Sequence, residues 1–277
     1  MDLTLAPITP AIGVEITGAT GADFRDRDLA TTALDALDRH GVVVFPDAFL
    51  DDPELVAFSR MLGEVVVAPV AERDTFPEVS SISLDPEKSK FVEYRKGTFF
   101  WHIDGAQDAI PQKATLLAAH EVAESGGGTE FANTYAAYEA LPEEDKAELA
   151  DLRVLHTFAA TQSLVYPDPT PKQLAAWATV PSREHPLVWT RPGGRKSLLV
   201  GATAERIVGL PEADGRALLD RLLDWATGPQ FVLAHSWRRG DLVIWDNTAM
   251  LHRAQPYETT SRRLLHRTTL VGEHAVA

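Results

Sequence analysis

His102 and Asp104 are separated by one residue and could together bind a metal ion. Among the nine histidines, His102 is the only one with an acidic residue two positions later. Residues i and i+2 of an extended backbone project to the same face, so one imidazole nitrogen and one carboxylate oxygen could reach a single ion. The aromatic residues at 99–101 predict an apolar environment, where such a polar pair needs a partner. A surface pair without metal is the alternative.

A third ligand could come from His252, which lies 150 residues after His102 and can approach it only in the folded chain. A predicted strand and turn at residues 240–247 precede it, and Asp246 and Asn247 are expected to shape that turn. Two histidines and one carboxylate form a facial triad with open coordination positions, which is the ligand set of non-haem Fe(II) oxygenases. The sequence contains no cysteine, which excludes thiolate ligands, disulfide bonds and iron–sulfur clusters.

Arg263 and Arg267 are four residues apart, so a strand would place both guanidinium groups on one face. Two such groups facing a pocket could bind carboxylates in bidentate geometry. A solvated basic edge strand is the alternative. The glycine-rich turn at 125–133 runs into an apolar strand without a following lysine, so we discount a nucleotide-binding loop there.

The sequence predicts an antiparallel β architecture with packed helices as the scaffold for these residues. Apolar, β-branched runs predict strands at residues 12–17, 41–45, 79–84, 114–119, 230–234, 241–245 and 264–270. Helical spacing predicts helices at 28–40, 52–62 and 211–225, and a shorter helix that opens near residue 141. Residues 161–183 contain four prolines and predict a long excursion, either a lid or a surface insertion.

The charge balance narrows the classes of partner. Asp and Glu number 40 against 26 Lys and Arg, which gives a formal net charge of −14. This balance disfavours nucleic acid and anionic membranes, since both require basic patches. The sequence shows neither a signal-peptide pattern nor an apolar run of about 18 residues, so a cytoplasmic location is expected. An anionic substrate would need a local positive site.

The ordered motifs resemble the taurine dioxygenase/2,4-dichlorophenoxyacetate dioxygenase family of Fe(II)- and 2-oxoglutarate-dependent oxygenases. The resemblance covers residues from about 11 to about 272. It implies a mainly β fold with a double-stranded β-helix (jelly roll, cupin-like) core and flanking helices, in a single domain over residues 1–277. The matching residues are Trp-His-Ile-Asp at 101–104, Gly-Gly-Gly-Thr at 126–129, Trp-Asp-Asn at 245–247, His252, Arg263 and Arg267.

The resemblance also implies an activity and a set of site residues. The cofactors would be Fe(II), 2-oxoglutarate and O2, and the enzyme would hydroxylate or otherwise oxidise a C–H bond of a small organic acid, with release of succinate and CO2. Thr129 and Arg263 would hold the distal carboxylate of 2-oxoglutarate. Arg267 would approach either the anionic group of the substrate or the other carboxylate of the cosubstrate. The implied iron ligands are His102, Asp104 and His252.

The sequence departs from taurine dioxygenase beside the expected substrate site. That enzyme has a histidine-rich stretch after a Gly-Glu pair, whereas Gly63-Glu64 is followed here by residues 65–69 without histidine. Taurine is therefore a doubtful substrate. Tyr94 and Phe100 are candidate substrate-binding residues in its place, and with Arg267 they would suit a carboxylate with an apolar or aromatic body. Core packing is the alternative for both Tyr94 and Phe100.

Two other functions stay open on the sequence alone. A jelly-roll metal hydrolase would use the His and Asp ligands with zinc and would need neither oxygen nor Arg263. A non-catalytic module would bind 2-oxoglutarate without forming succinate. A homo-oligomer is compatible with either reading.

Overall fold

Fifteen short strands lie within residues 1–67, 75–89 and 95–276, which are the residues that the computed structural model describes. They are β1 (Thr4–Pro7), β2 (Val14–Thr17), β3 (Val42–Phe45), β4 (Ser80–Ile82), β5 (Ala114–Glu121), β6 (Thr129–Asn133), β7 (Arg153–His156), β8 (Arg183–Pro186), β9 (Val188–Thr190), β10 (Lys196–Leu198), β11 (Ala204–Ile207), β12 (Val232–His235), β13 (Leu242–Asp246), β14 (Met250–Ala254) and β15 (Leu264–Thr269).

Seven α-helices in the same residues flank the strands. They are α1 (Arg27–His40), α2 (Asp52–Leu62), α3 (Thr134–Glu139), α4 (Glu143–Leu149), α5 (Phe158–Val165), α6 (Pro171–Trp177) and α7 (Glu212–Ala226). The Asp51 side chain caps α2 by accepting a hydrogen bond from the Glu54 amide. The Glu54 side chain in turn accepts a hydrogen bond from the Asp51 amide. Gly41 ends α1 in the left-handed region with φ of 70°, a conformation that glycine adopts at low cost.

Two sheets face each other and enclose the apolar interior of the barrel. The larger sheet has the order β1-β2-β3-β13-β5-β15-β4, and the smaller has the order β12-β6-β14. Val44, Leu117 and Leu265 of the larger sheet share one buried cluster with Phe131 and Leu233 of the smaller sheet. This arrangement confirms the predicted jelly-roll core with flanking helices.

Helices α1 and α2 cover the opposite, outer face of the larger sheet. Phe24 lies between the strand residue Phe45 and the helix residue Phe58, with ring centroids 5.3 and 5.0 Å away and edge-to-face geometry. Such aromatic pairs add about 0.5–1.5 kcal/mol beyond the area they bury. The face of the sheet that carries Phe45 is thus closed by helices.

Most predicted elements are present, and two differ from the prediction. Residues 229–231 form a short 3₁₀ turn, so the predicted strand at 230–234 begins later, at Val232. Residues 161–183 contain the end of α5 and the whole of α6, because Thr170 caps a helix whose first residue is Pro171. Within the described ranges, no helix combines the length and apolar character needed to cross a bilayer.

Candidate active site

His102 and His252 are joined by an isolated antiparallel bridge inside the barrel. The His102 amide donates to the His252 carbonyl at 3.0 Å, and the His252 amide donates to the His102 carbonyl at 2.9 Å. Their ring centroids are 4.2 Å apart. Strand β14 therefore fixes His252, and the bridge fixes His102 beside it.

Backbone contacts orient both imidazoles toward Asp104. Nδ1 of His102 lies 2.8 Å from the Phe100 carbonyl, and Nδ1 of His252 lies 3.4 Å from the Met250 carbonyl. A carbonyl only accepts, so each Nδ1 is the donor and each Nε2 keeps its lone pair. The Nε2 atoms lie 3.8 and 3.7 Å from the Asp104 carboxylate. Two donors on one ion lie at most about 4.2 Å apart, so the three side chains could share a metal.

The protonation states suit metal binding. Burial, reinforced by the neighbouring His102, lowers the pKa of His252 to about 3. Burial acts to raise the pKa of Asp104, but the two histidines and Arg267 outweigh it and lower the pKa to about 2. At neutral pH the His252 imidazole is therefore unprotonated and Asp104 is ionised, the forms in which these groups bind metal ions.

A buried hydrogen-bond relay holds the Asp104 carboxylate. Trp245 Nε1 donates to Asn247 Oδ1 at 2.8 Å, and Asn247 Nδ2 donates to Thr115 Oγ1 at 2.8 Å. Thr115 Oγ1 in turn donates to Asp104 Oδ2 at 3.3 Å. Sequence reasoning missed Thr115 and gave Asn247 only a role in the turn. The Trp-Asp-Asn motif was the available signal, because its first and third residues begin this relay.

Arg263 presents a buried cation to the same interior. The side chain is only 2% exposed, Nε donates to the Gly127 carbonyl at 2.9 Å, and the guanidinium lies 4.7 Å from the Tyr257 ring centroid. A Cβ on Gly127 would lie 3.0 Å from Arg263 Cδ, so glycine is needed there for space as well as for its φ of +67°. Burial lowers the pKa of Arg263, and Tyr257 opposes that shift. Nη1 of Arg263 has no hydrogen-bond partner among the described residues.

A narrow cavity connects Arg263 to the histidines. Thr129 lies in its wall, and Thr129 Oγ1 accepts a hydrogen bond from Trp237 Nε1 at 3.0 Å. The hydroxyl proton of Thr129 can therefore be donated to a ligand. Arg267 lines the same cavity, with Nη1 3.6 Å from Asp104 Oδ2. The structure thus brings Thr129, Arg263 and Arg267 together with the His-Asp-His group.

A second cavity of about 210 Å³ is also lined by His102 and Arg267, and in addition by Asp104. Two of its polar wall atoms, Gln112 Oε1 and Thr161 Oγ1, are buried without a hydrogen-bond partner among the described residues. Buried polar groups normally have partners, so these atoms indicate where a polar ligand would bind. The other polar residues in this wall are Arg95, Thr98, Gln107, Asp108, Gln162 and Thr203.

The remaining predicted residues have different outcomes. Tyr94 lies outside the described residues. Phe100 does not line either cavity beside the histidines; its side chain lines a separate crevice with Leu164 and Leu223. Trp101 lines the same crevice, and the Phe100 carbonyl contacts Nδ1 of His102. The substrate-binding role of Phe100 stays a prediction.

Comparisons with known proteins agree over nearly the whole length of the chain. The sequence profile of the taurine catabolism dioxygenase TauD, TfdA family matches residues 4–269. An alpha-ketoglutarate-dependent 2,4-dichlorophenoxyacetate dioxygenase of Burkholderia sp. (strain RASC) is 37% identical over 249 residues, 85% of this chain and 83% of that protein. An (S)-phenoxypropionate/alpha-ketoglutarate-dioxygenase of Sphingobium herbicidovorans is 32% identical over 281 residues, 98% and 96% of the two chains. The crystal structure of AAD-2 in complex with Mn(II) and N-oxalylglycine is similar with a TM-score of 0.82, at 28% identity over 100% of both chains.

Proposed function

We propose a substrate class and a set of residue roles for this chain. The chain belongs to the taurine catabolism dioxygenase TauD, TfdA family and is an Fe(II)- and 2-oxoglutarate-dependent dioxygenase. When bound, Fe(II), 2-oxoglutarate and O2 supply the chemistry that oxidises a C–H bond, with release of succinate and CO2. In the proposal, the substrate is a small organic acid that carries a hydrogen-bond donor. The observation that supports the metal site is the convergence of Nε2 of His102 and His252 on the Asp104 carboxylate beside two cavities. The observation that supports the substrate class is the pair of buried polar atoms, Gln112 Oε1 and Thr161 Oγ1, in the wall of the larger of these two cavities.

His102, Asp104 and His252 hold the iron in this proposal. Their donor set of two imidazoles and one carboxylate is the facial triad of non-haem iron enzymes. The Phe100 and Met250 carbonyls keep Nε2 of each histidine directed inward, and the Thr115 hydroxyl keeps one Asp104 oxygen in place. Partners of this kind fix the orientation of metal ligands before the ion binds.

Arg263 and Thr129 bind the distal carboxylate of 2-oxoglutarate. Nη1 of Arg263 is a buried charged donor that has no partner among the described residues, and burying such a donor without a partner is costly. A carboxylate in the narrow cavity would satisfy it and would also accept the Thr129 hydroxyl proton. The fit supports a cosubstrate with a carboxylate at this end, and the hydrogen bond from Arg263 Nε to the Gly127 carbonyl holds the guanidinium in place.

Arg267 binds the anionic group of the substrate. It lines both cavities, so its guanidinium lies between the cosubstrate side and the substrate side. Gln112 Oε1 and Thr161 Oγ1 accept hydrogen bonds from a hydroxyl or amino group elsewhere on the substrate. A hydrogen-bonding wall rejects a substrate without the matching group, because its polar atoms are then left unpaired. We therefore replace the aromatic body expected from the sequence with a more polar one.

Residues 161–183 form one wall of the substrate cavity in this proposal and act as its lid. The supporting observation is that Thr161 and Gln162 of α5 line the cavity. We place the wall and the metal-binding group in one domain over residues 1–277.

A succinate-release assay over pairs of carboxylic acids that differ by one hydroxyl group tests the substrate class. The panel includes 2,4-dichlorophenoxyacetate, and succinate formed without added substrate is subtracted. We expect the hydroxylated member of a pair to have the higher kcat/KM, and Gln112→Leu to reduce that preference about 2- to 10-fold, the value of one neutral hydrogen bond. A preference for the unsubstituted members that survives Gln112→Leu would overturn the polar-substrate proposal.

A further inference from the structure

A second group with the same donor types as the proposed iron site lies on the outer face of the larger sheet. Asp52, His120 and His266 place one ligand atom each within 4.8 Å of one another. His266 follows Leu265, whose side chain lies in the barrel interior, and successive strand residues point to opposite faces. His266 therefore points away from the interior and toward the face that α2 covers, on the other side of the sheet from Arg267.

The geometry of this group is compact and largely shielded from solvent. His266 Nδ1 lies 2.5 Å from Asp52 Oδ1, and the two side chains are only 8% and 14% exposed. The rings of His120 and His266 have centroids 3.8 Å apart at an interplanar angle of 40°. Two imidazoles and a carboxylate thus meet in a space of the size that one metal ion and its ligands occupy.

The alternation of β5 directs His120 to the same outer face. Leu116 and Ala118 of β5 lie in the buried cluster on that face, and His120 follows two residues after Ala118. The pairing with β15 shifts at this point: Leu264 pairs with Glu121, whereas the next residue, Leu265, pairs with Ala119, so a β-bulge lies at His120. Bulges commonly occur at functional sites.

The third donor is placed by the start of α2. Asp52 is the first residue of that helix, and the helix is anchored on β15 by a hydrogen bond of 2.7 Å between Ser59 Oγ and Thr268 Oγ1. Thr268 lies two residues after His266, so it projects to the same face of the strand. The anchor therefore holds the Asp52 carboxylate over His266 independently of the residues in the barrel interior.

We propose that Asp52, His120 and His266 bind one divalent transition-metal ion, with Zn²⁺ as the best match, at a site separate from the iron site. Imidazole and carboxylate ligands without thiolate suit this class of ion. In the metal-free protein, His266 Nδ1 and Asp52 Oδ1 share a hydrogen bond; the ion takes the place of its proton, which moves to Nε2 of the same ring, and the neutral imidazole binds through Nδ1. The ion joins the start of α2 to β5 and β15, and so it stabilises the strand that carries Arg267.

Zinc stoichiometry tests the proposal on the full chain. Chelator-treated protein is equilibrated with Zn²⁺ by dialysis, and bound zinc is measured by elemental analysis. We expect two equivalents in the unsubstituted protein, one in His102→Ala/His252→Ala, one in His120→Gln, and none when the three substitutions are combined. Zn²⁺ should raise the melting temperature of His102→Ala/His252→Ala and leave that of the combined variant unchanged.

These outcomes distinguish failure of the second metal site from failure of the iron-ligand assignment. The use of His102→Ala/His252→Ala depends on that assignment. One equivalent in the unsubstituted protein, with none in His102→Ala/His252→Ala, would overturn the second site and leave the iron site intact. Two equivalents in His102→Ala/His252→Ala would instead contradict the iron ligands. Asp52→Asn serves as a second variant with a fold-preserving change, and its retention of both equivalents would also overturn the proposal.

Discussion

His102 and His252 exchange both of their backbone hydrogen bonds across one antiparallel bridge, although 150 residues separate them in the chain. The bridge sets their rings 4.2 Å apart, and each Nδ1 faces a nearby carbonyl. The site is consequently organised by the backbone before any metal binds.

Removing the Thr115 hydroxyl should weaken iron binding. Thr115→Val keeps the shape of the side chain but breaks the relay from Trp245 and Asn247 to the Asp104 carboxylate. Loss of an outer partner of a metal ligand reduces metal affinity about 10- to 100-fold. Anaerobic Fe(II) titration measures the dissociation constant.

The matched control for that change is Thr134→Val. Thr134 is also buried, and its hydroxyl donates to the Ala249 carbonyl, without contact to Asp104. It should lose stability comparable to Thr115→Val but keep its affinity for iron. Equal iron affinities in the two variants would contradict the role of the relay.

Shortening the Arg263 side chain should weaken 2-oxoglutarate binding. Arg263→Lys removes the bidentate geometry and the donor that lacks a partner. Hydrogen bonds to charged groups contribute about 1.5–3 kcal/mol, so the dissociation constant for 2-oxoglutarate should rise about 10- to 150-fold. Anaerobic titration of the Fe(II)-loaded enzyme with 2-oxoglutarate gives this constant. Arg262→Lys is the control, because the neighbouring Arg262 side chain is 84% exposed and pairs with Glu121 at the surface; an equal loss in both variants would contradict the assignment.

Substitution of Arg267 distinguishes its two possible partners. Arg267 lines both cavities, and we assign it to the substrate anion. Arg267→Leu should therefore raise the KM of the acid substrate at least about 10-fold, while the dissociation constant for 2-oxoglutarate changes much less. A large rise in the 2-oxoglutarate constant with an unchanged substrate KM would show that Arg267 serves the cosubstrate.

His156 should make the protein less stable in mild acid. Burial, with a smaller effect from His185, lowers the pKa of His156 to about 3, and its Nδ1 lies 2.9 Å from Thr203 Oγ1. The folded protein therefore keeps this imidazole neutral, whereas the unfolded chain binds a proton below its ordinary pKa of about 6.5. Its contribution to stability is present above about pH 6.5 and is lost as the pH falls toward 3.

The pH dependence of the free energy of unfolding measures this effect. Urea unfolding at a series of pH values between 7.5 and 4.5 should give a smaller loss of stability on acidification for His156→Gln than for the unsubstituted protein. His274→Gln, at an exposed position, is the control and should follow the unsubstituted protein. An unchanged pH slope in His156→Gln would contradict the prediction, whatever the change in stability at pH 7.5.

Sequence reasoning found the residues that are grouped by their spacing within one strand or one motif. His102 and Asp104 share one short motif, and Arg263 and Arg267 are four residues apart, so local spacing was sufficient to group them. Thr115 was missed because its link to Asp104 depends on the pairing of Thr115 with Trp245 between two strands. The sequence could not show which crevice the Phe100 ring enters, because that depends on the direction of the backbone in the folded chain.

Outside the active site, too, local signals predicted the elements, whereas contacts between distant segments were not predicted. The prediction for α2 was correct at both ends, because Asp51, Pro53 and the apolar spacing are local signals. Asp52, His120 and His266 lie 68 and 146 residues apart in sequence, and they meet because β5 pairs with β15 and α2 docks on β15. Register and docking are properties of the folded chain, and a single sequence contains little information about them.

The central claim is that His102, Asp104 and His252 hold Fe(II) beside a 2-oxoglutarate site built on Arg263. Anaerobic addition of Fe(II) and then 2-oxoglutarate, followed by visible absorption spectroscopy, tests it most directly. We predict a weak visible charge-transfer band that requires both additions, is abolished in His252→Ala, and needs a higher 2-oxoglutarate concentration in Arg263→Lys. The same band, at full intensity, in His252→Ala would contradict the account.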